Sequence, residues 1–176
     1  LANLYVDEAN GDDNDSGAEE TPFASITRAL SVASGGSQIH IASGLYTNGM
    51  ETFPLILEKP GIRLMGAGTN ATIINAGGSV NKKRIIMARG ATGDTQIRDI
   101  TLCNGYLHSS PSTTHPRVAE NYWHPRYGAG LHILNSTINF ETVALTNSAI
   151  VGRADDDCIG AGIYSLYSCG VISNSF

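Results

Sequence analysis

The sequence predicts an all-β fold, a parallel β-helix in which short strands wind into coils that stack on one another. Three observations indicate this fold. Beyond residue 36 the chain alternates short apolar runs with glycine, asparagine and serine. Apolar positions also recur at long, regular intervals. Finally, helical periodicity is convincing in only one short segment, near the N terminus.

We expect a single domain over residues 1–176, long enough to bury one core. Residues 1–36 form an N-terminal cap, and residues 37–176 form the coils. Residues 104–128 are the longest insertion between coils.

The predicted cap consists of a short strand, an acidic loop and a helix over about residues 25–34. Ser25 is the expected N-cap, and Gly35-Gly36 ends the helix. One helical face is apolar: Ile26, Ala29, Leu30 and Ala33. Because a solenoid end exposes core and unpaired strand edges, this helix is expected to cover it.

Six strands are predicted in the first half: 38–42, 55–57, 62–65, 72–75, 84–87 and 96–102. Three sets of residues recur every 23 positions: Ile39, Ile62 and Ile85; Ile41, Leu64 and Met87; Ile74 and Ile97. This predicts coils of 23 residues with inward ladders. Two Gly-Ala-Gly units at 128–130 and 160–162 are 32 residues apart, which predicts a longer coil with a loop at 152–159.

Composition excludes two classes of function. With 11 basic and 16 acidic residues and no long Lys/Arg run, the chain is a poor candidate for non-specific nucleic-acid binding. No apolar run approaches the roughly 18 residues of a membrane span. The three cysteines are too few for a disulfide framework; Cys158 and Cys169 could pair, or the cysteines could be small buried hydrophobes.

One linked pattern is shared with a known group. It comprises Leu4-Tyr5-Val6-Asp7, Asn10-Gly11-Asp12-Asp13, Thr21-Pro22-Phe23 and Ile39-His40-Ile41-Ala42. It resembles the N-terminal region of secreted, pectate-lyase-like right-handed parallel β-helix proteins, including uncharacterised surface proteins. The resemblance covers most of the chain. It implies the fold and an extracellular or cell-surface protein, in a fold that hosts polysaccharide lyases, glycoside hydrolases and non-catalytic adhesins. The strand-like start of the chain predicts a mature N terminus with its signal peptide removed, and the lack of a C-terminal cap predicts the N-terminal part of a longer solenoid.

The acidic loop is a candidate Ca²⁺ site. Asp7, Asp12, Asp13 and Asp15 supply the carboxylate oxygens that calcium prefers. The alternative is a solvated loop of Asx turns.

The insertion at 104–127 is the candidate glycan-contact segment. Aromatic rings can stack on sugars, and arginines can bind carboxylates through two hydrogen bonds. The candidates are Tyr106, Arg117, Tyr122, Trp123, His124, Arg126 and Tyr127. The alternative is a loop that packs on the flank of the solenoid, with Trp123 as its anchor.

His40 and Arg63 are further candidate substrate-binding residues. Each lies between apolar neighbours, so both should project outward from adjacent coils on one face. A lyase acting on a uronic polysaccharide needs such basic groups. Alternatively, these are ordinary solvated surface charges. Asp155-Asp156-Asp157 could supply acid and base groups for glycoside hydrolysis, or form a solvated turn.

Two hypotheses follow from the sequence. The first is an extracellular β-helix that binds or acts on a polysaccharide, as a lyase or glycoside hydrolase if it is an enzyme. The second is a non-catalytic structural or adhesive solenoid that assembles end to end through an open C-terminal coil.

Overall fold

A computed structural model describes residues 2–108, 128–151 and 161–175. The helices are α1 (Ile26–Val32) and α2 (Gly78–Asn81). The strands are β1 (Asn3–Val6), β2 (Gln38–Ile41), β3 (Gly44–Thr47), β4 (Leu55–Leu57), β5 (Arg63–Met65), β6 (Thr72–Asn75), β7 (Ile86–Arg89), β8 (Gln96–Cys103), β9 (Tyr106–His108), β10 (Leu131–Leu134), β11 (Asn139–Thr146), β12 (Ala149–Val151), β13 (Ile163–Leu166) and β14 (Ile172–Ser173).

The strands pair in parallel and form three faces of a β-helix. The first face has the order β1-β2-β5-β8-β11-β14. The second contains β3 and β6 together with the second halves of the long strands β8 and β11. Here β3 pairs with β6, β6 with β8, and β8 with β11. The third has the order β4-β7-β10-β13, and β9 pairs with β12. The predicted parallel solenoid is therefore confirmed.

Apolar side chains from each coil stack in ladders inside the solenoid. On the first face, paired positions place the following residues in one inward row: Leu4, Ile39, Leu64, Ile97, Phe140 and Ile172. Ile39, Leu64 and Ile97 are completely buried. Each such side chain contributes about 1.5–3 kcal/mol, which no coil could gain without its neighbours.

The predicted period of 23 residues is wrong. Ile39 lies opposite Leu64, Leu64 opposite Ile97, and Ile97 opposite Phe140, so these coils contain 25, 33 and 43 residues. Met87 belongs to the third face and not to the ladder that contains Leu64. The 23-residue recurrence arose because apolar residues alternate in every strand, whereas the coils differ in the length of their connections. The 32-residue spacing is confirmed by the pairing of Leu131 with Ile163.

The helix α1 forms the predicted cap at the N-terminal end. The Ser25 side chain accepts a hydrogen bond from the Arg28 amide, and Ile26 and Ala29 are buried against the first coil. Side chains of residues 51 and 59 hydrogen-bond to the two ends of this helix. Glu51 accepts hydrogen bonds from the amides of Ile26 and Thr27, and the Lys59 ammonium donates to carbonyls of the last turn.

Several local expectations are corrected. The helix α2 is a single turn that the sequence did not indicate. In the segment 104–128, predicted as a long loop, residues 106–108 form the strand β9, and residues 109–127 lie outside the described residues. Cys103 is buried, and burial raises the pKa of its thiol, whereas Cys169 is an exposed free thiol. Cys158 and the loop predicted at 152–159 lie outside the described residues.

The corners of successive coils are built from stacked residues with left-handed backbone. Asp99 and Thr142 occupy one corner at φ values of 57° and 52°, and Asn104 and Asn147 occupy another at 59° and 52°. Asn and Asp tolerate this conformation better than most residues. The corners turn the chain from one face to the next without interrupting the ladders.

Within the described ranges, neither helix is long and apolar enough to cross a membrane.

Candidate functional site on the outward first face

The outward side of the first face is a polar surface across several coils. Because side chains alternate along a strand, residues between the buried positions point away from the core. Paired positions align them in two rows. The first contains Tyr5, His40, Met65, Arg98 and Glu141; the second contains Asn3, Gln38, Arg63, Gln96 and Asn139.

A groove of about 510 Å³ lies over the N-terminal half of this surface. It is lined by residues of the first face together with Asp7, Glu19 and Pro22 of the cap, among them Tyr5, Gln38, His40, Met65 and Arg98. The rings of Tyr5 and His40 stack with their centroids 4.8 Å apart and an angle of 13° between the planes. The groove therefore combines aromatic, amide and charged groups, the mixture that saccharide hydroxyls and ring faces can contact.

The floor of the groove depends on a glycine. A Cβ atom added to Gly66 would lie 2.3 Å from the carbonyl oxygen of Asp99 on the next coil. Any larger residue would force these two coils apart at the corner. Gly66 therefore lets the backbones approach closely beside Arg98.

The charged groups of this surface are already paired with each other or with amides. Arg63 donates to a carboxylate oxygen of Asp94 at 3.1 Å, and Nε of Arg98 lies 3.5 Å from the Asp99 carboxylate. Nε2 of Gln96 donates to Glu141 at 3.0 Å. The hydrogen bonds of Arg63 and Gln96 orient their side chains on adjacent coils, whereas Nε of Arg98 makes no hydrogen bond to a described residue.

His40 and Arg63 do project outward from adjacent coils of one face, as the alternation predicts. They do not lie side by side, however, because His40 is paired with Met65 and Arg63 with Gln38. His40 stacks on Tyr5, and Arg63 is engaged with Asp94.

Sequence reasoning missed the amide side chains of Gln38, Gln96 and Asn139, and also Glu141. Gln38 and Gln96 sit at outward positions of predicted strands, beside Ile39 and Ile97, which the sequence assigns to inward ladders. With the correct coil lengths the same alternation would have aligned them in rows. The incorrect 23-residue period hid that alignment.

The candidate calcium ligands are occupied with local hydrogen bonds. Asp7 accepts from the Asn10 side chain and from two backbone amides, and these bonds lower the pKa of its carboxyl. The carboxyl of Asp12 has a pKa lowered by the amide and side chain of Asn14. Asp13 accepts from the amide and hydroxyl of Ser25 and so joins the loop to α1.

The described part of the chain contains no group of three or more His, Cys, Asp or Glu side chains placed to hold a metal ion. Asp7, Asp12 and Asp13 thus stabilise turns and the helix start. Calcium binding by this loop, with Asp15 as a fourth ligand, stays a prediction from the sequence.

The aromatic insertion is only partly within the described residues. Tyr106 is half-buried in β9, which pairs with β12. The other candidates in this segment lie outside the described residues: Arg117, Tyr122, Trp123, His124, Arg126 and Tyr127. The acidic triplet Asp155–Asp157 does too.

A second groove, of about 320 Å³, lies between α1 and β4. Its walls are mostly apolar and include Leu30, Pro54 and Ile56. The Lys59 ammonium group at its rim donates hydrogen bonds to three carbonyls at the end of α1. This groove therefore has fewer available polar groups than the first face.

Comparison with solved structures shows the fold class of the molecule. Two pectin methylesterase structures are similar to this chain. A mutant in complex with a hexasaccharide has a TM-score of 0.57 at 18% identity, and the Erwinia chrysanthemi enzyme PemA has 0.57 at 15%. The matches cover 98% and 99% of this chain but 50% and 48% of those structures, so the chain spans about half their length. The likeness shows the fold: this is a right-handed parallel β-helix protein of the pectin-lyase-like type.

The family itself is shown by sequence. Residues 9–163 match the model of the family described as protein of unknown function DUF1565, and the chain belongs to that family. Among curated proteins, no sequence relative is matched.

Proposed function

We propose that the protein binds a polysaccharide along the outward first face. The observation that carries this proposal is the groove over β1, β2, β5 and β8, with its stacked Tyr5 and His40 rings and the row of amide side chains that begins in it at Gln38. An extended glycan can contact residues on successive coils, whose spacing is ~4.8 Å. The likeness to a pectin methylesterase bound to a hexasaccharide supports a carbohydrate ligand.

An extracellular location belongs to the same proposal. The aromatic insertion adds a second prediction, because Trp123 and its neighbouring aromatic and basic residues are the groups that would extend glycan contact beyond the strands. Catalysis as a lyase or hydrolase is also a prediction from the sequence. It is tested by following product formation with each polysaccharide that binds.

A glycan array with matched variants tests the binding site. The double variant Gln38→Ala/Gln96→Ala should weaken binding by about tenfold or more, because two amides that hydrogen-bond hydroxyls are lost. Ile56→Ser, on the exposed outside of the third face, is the matched control and should bind like wild type. Equal binding by all three proteins would refute the first face as the site. Unchanged binding by Trp123→Ala would separately refute the contribution of the insertion.

The structural alternative, a solenoid that assembles end to end, stays a prediction from the sequence. Sedimentation should then show concentration-dependent oligomers, and a monomer at all concentrations would exclude it.

A further inference from the structure

The charge of the outward first face distinguishes between classes of polysaccharide. We infer that the site accepts a neutral glycan and disfavours a polyuronate. This inference rests on the proposed function, since it specifies the ligand of the same site. It departs from the sequence-based expectation that basic residues would bind uronic carboxylates.

Carboxylates outnumber cations on this face. Its guanidinium groups in the described ranges are those of Arg63 and Arg98. Five carboxylates lie on or beside the same surface: Asp7, Glu19, Asp94, Asp99 and Glu141. A uronate group would therefore meet net negative charge over distances comparable with the Debye length of about 8 Å at physiological ionic strength.

Both arginines are also already neutralised. Arg63 is paired with Asp94, and Arg98 lies beside Asp99. A glycan carboxylate that bound a remaining N–H of either guanidinium would lie beside the aspartate already paired with it. Repulsion between the two carboxylates makes these arginines weak anchors for uronic acids.

The segments outside the described residues carry no excess of positive charge. Residues 109–127 and 152–160 contain three arginines, Arg117, Arg126 and Arg153, against four acidic residues, Glu120 and Asp155–Asp157. The whole chain has a net charge of −5. Whatever contribution these segments make, their own charge does not reverse the sign of the surface.

The uncharged groups of the face match a neutral ligand. Gln38, Gln96 and Asn139 are half-buried amides in one row, and Tyr5 and His40 add polar rings in the other. Gln96 donates to Glu141 and Asn139 accepts from the Val171 amide, but a side-chain amide has two N–H donors and a carbonyl acceptor, so each keeps groups that can pair with hydroxyls. The surface is thus complementary to a chain of hydroxyl groups.

The experiment compares glycans that share a backbone but differ in charge. Fully methyl-esterified homogalacturonan and the same polymer after de-esterification form one such pair, alongside neutral galactan, xylan and mannan. Binding is measured by isothermal titration at low and high salt, once with calcium and once with a chelator. We expect a neutral glycan to bind at least about tenfold more tightly than the polyuronate. Residual polyuronate binding should strengthen with salt, because salt screens repulsion.

A charge variant sharpens the test. Asp94→Asn releases Arg63 and should raise the affinity for the polyuronate severalfold. Glu58→Gln removes the same charge beside β4, away from the first face, and should leave that affinity unchanged.

The possible failures are distinguishable. Tighter binding of the polyuronate, with or without calcium, would overturn the neutral-ligand inference while leaving the proposed glycan-binding function intact. Equal gains from both charge variants would also overturn it, because net charge rather than the first face would then govern binding. Absence of binding to every glycan would overturn the proposed function itself.

Discussion

At the scale of single residues, the corners of the coils are where the backbone is most constrained. Thr142 is β-branched and has a φ of 52°, a conformation that costs such residues about 1–2 kcal/mol. The neighbouring coils place Asp99 and Asn174 at the equivalent corner, with φ values of 57° and 48°. Short polar side chains are thus the natural occupants of this position.

Thr142→Asn should therefore stabilise the protein by about 1 kcal/mol, because Asn tolerates left-handed backbone. Urea unfolding measures the change as a higher midpoint. The control is Thr146→Asn, an exposed position in the same strand whose φ is not positive, where no gain is expected. A loss of stability in Thr142→Asn would show that the Thr142 side chain makes a contact that outweighs its backbone strain.

Ser136 links adjacent coils through one hydroxyl. Its Oγ donates to the carbonyl of Leu134 at 2.7 Å and accepts from the amide of Ala91 at 3.1 Å, and the residue is only 2% exposed. Ser136→Ala should reduce the free energy of unfolding by about 1–3 kcal/mol, since the Ala91 amide loses its buried partner. Ser168→Ala, in the same role on the partly exposed last coil, should cost less. Equal losses in thermal unfolding would argue against burial as the cause.

At the scale of elements, α1 depends on side chains outside the helix. Its seven residues form too short a helix to be stable alone, so Glu51 at its start and Lys59 at its end supply hydrogen bonds that the helix itself lacks. Glu51 is 3% exposed, and burial raises the pKa of its carboxyl despite the hydrogen bonds from Thr27 and Ile26.

The raised pKa of Glu51 makes the free energy of unfolding decrease as pH rises. The folded protein holds the Glu51 proton more tightly than the unfolded chain does. The stabilisation from this group is therefore complete below the unfolded pKa, near 4.5, and is lost as pH rises through the higher folded value. Denaturant unfolding across this range should show a downward slope with pH that Glu51→Gln reduces. An unchanged slope in the variant would contradict the assignment.

Among the elements, those specified by short-range patterns were predicted well. Ser25 and the apolar spacing from Ile26 onward defined α1, and alternation defined β6 and β8 almost to their ends. Coil length could not be predicted, because it depends on which strands pair across a corner. In the candidate site, alternation predicted that His40 and Arg63 face outward. Their actual partners, Tyr5 and Asp94, lie on adjacent coils but far away in the sequence, so they could not be inferred without the coil lengths.

At the scale of the whole molecule, stability is carried by ladders that run through all coils. Leu64 is completely buried between Ile39 and Ile97, whereas Ile172 ends the same row at 61% exposure. Leu64→Ala should cost about 2–5 kcal/mol through lost packing on both sides. Ile172→Ala, the matched change in the last coil, should cost far less because little of its surface is buried. Similar costs in denaturant unfolding would contradict the nearest-neighbour view of this solenoid.

The same architecture explains why a binding surface can form on one face. Inward positions are committed to the core, so the outward rows vary freely and align on adjacent coils. On the first face the outward positions hold amides, stacked rings and paired charges. The central claim is that a glycan binds along these rows.

The most direct test adds a glycan that binds in the array to the isotopically labelled protein and follows the chemical shifts of the backbone amides. Binding along the first face predicts that the shifted amides cluster on β2, β5 and β8, while those of β4 and β7 on the third face stay in place. Shifts confined to the third face, or no shifts at glycan concentrations that saturate the array, would contradict the account.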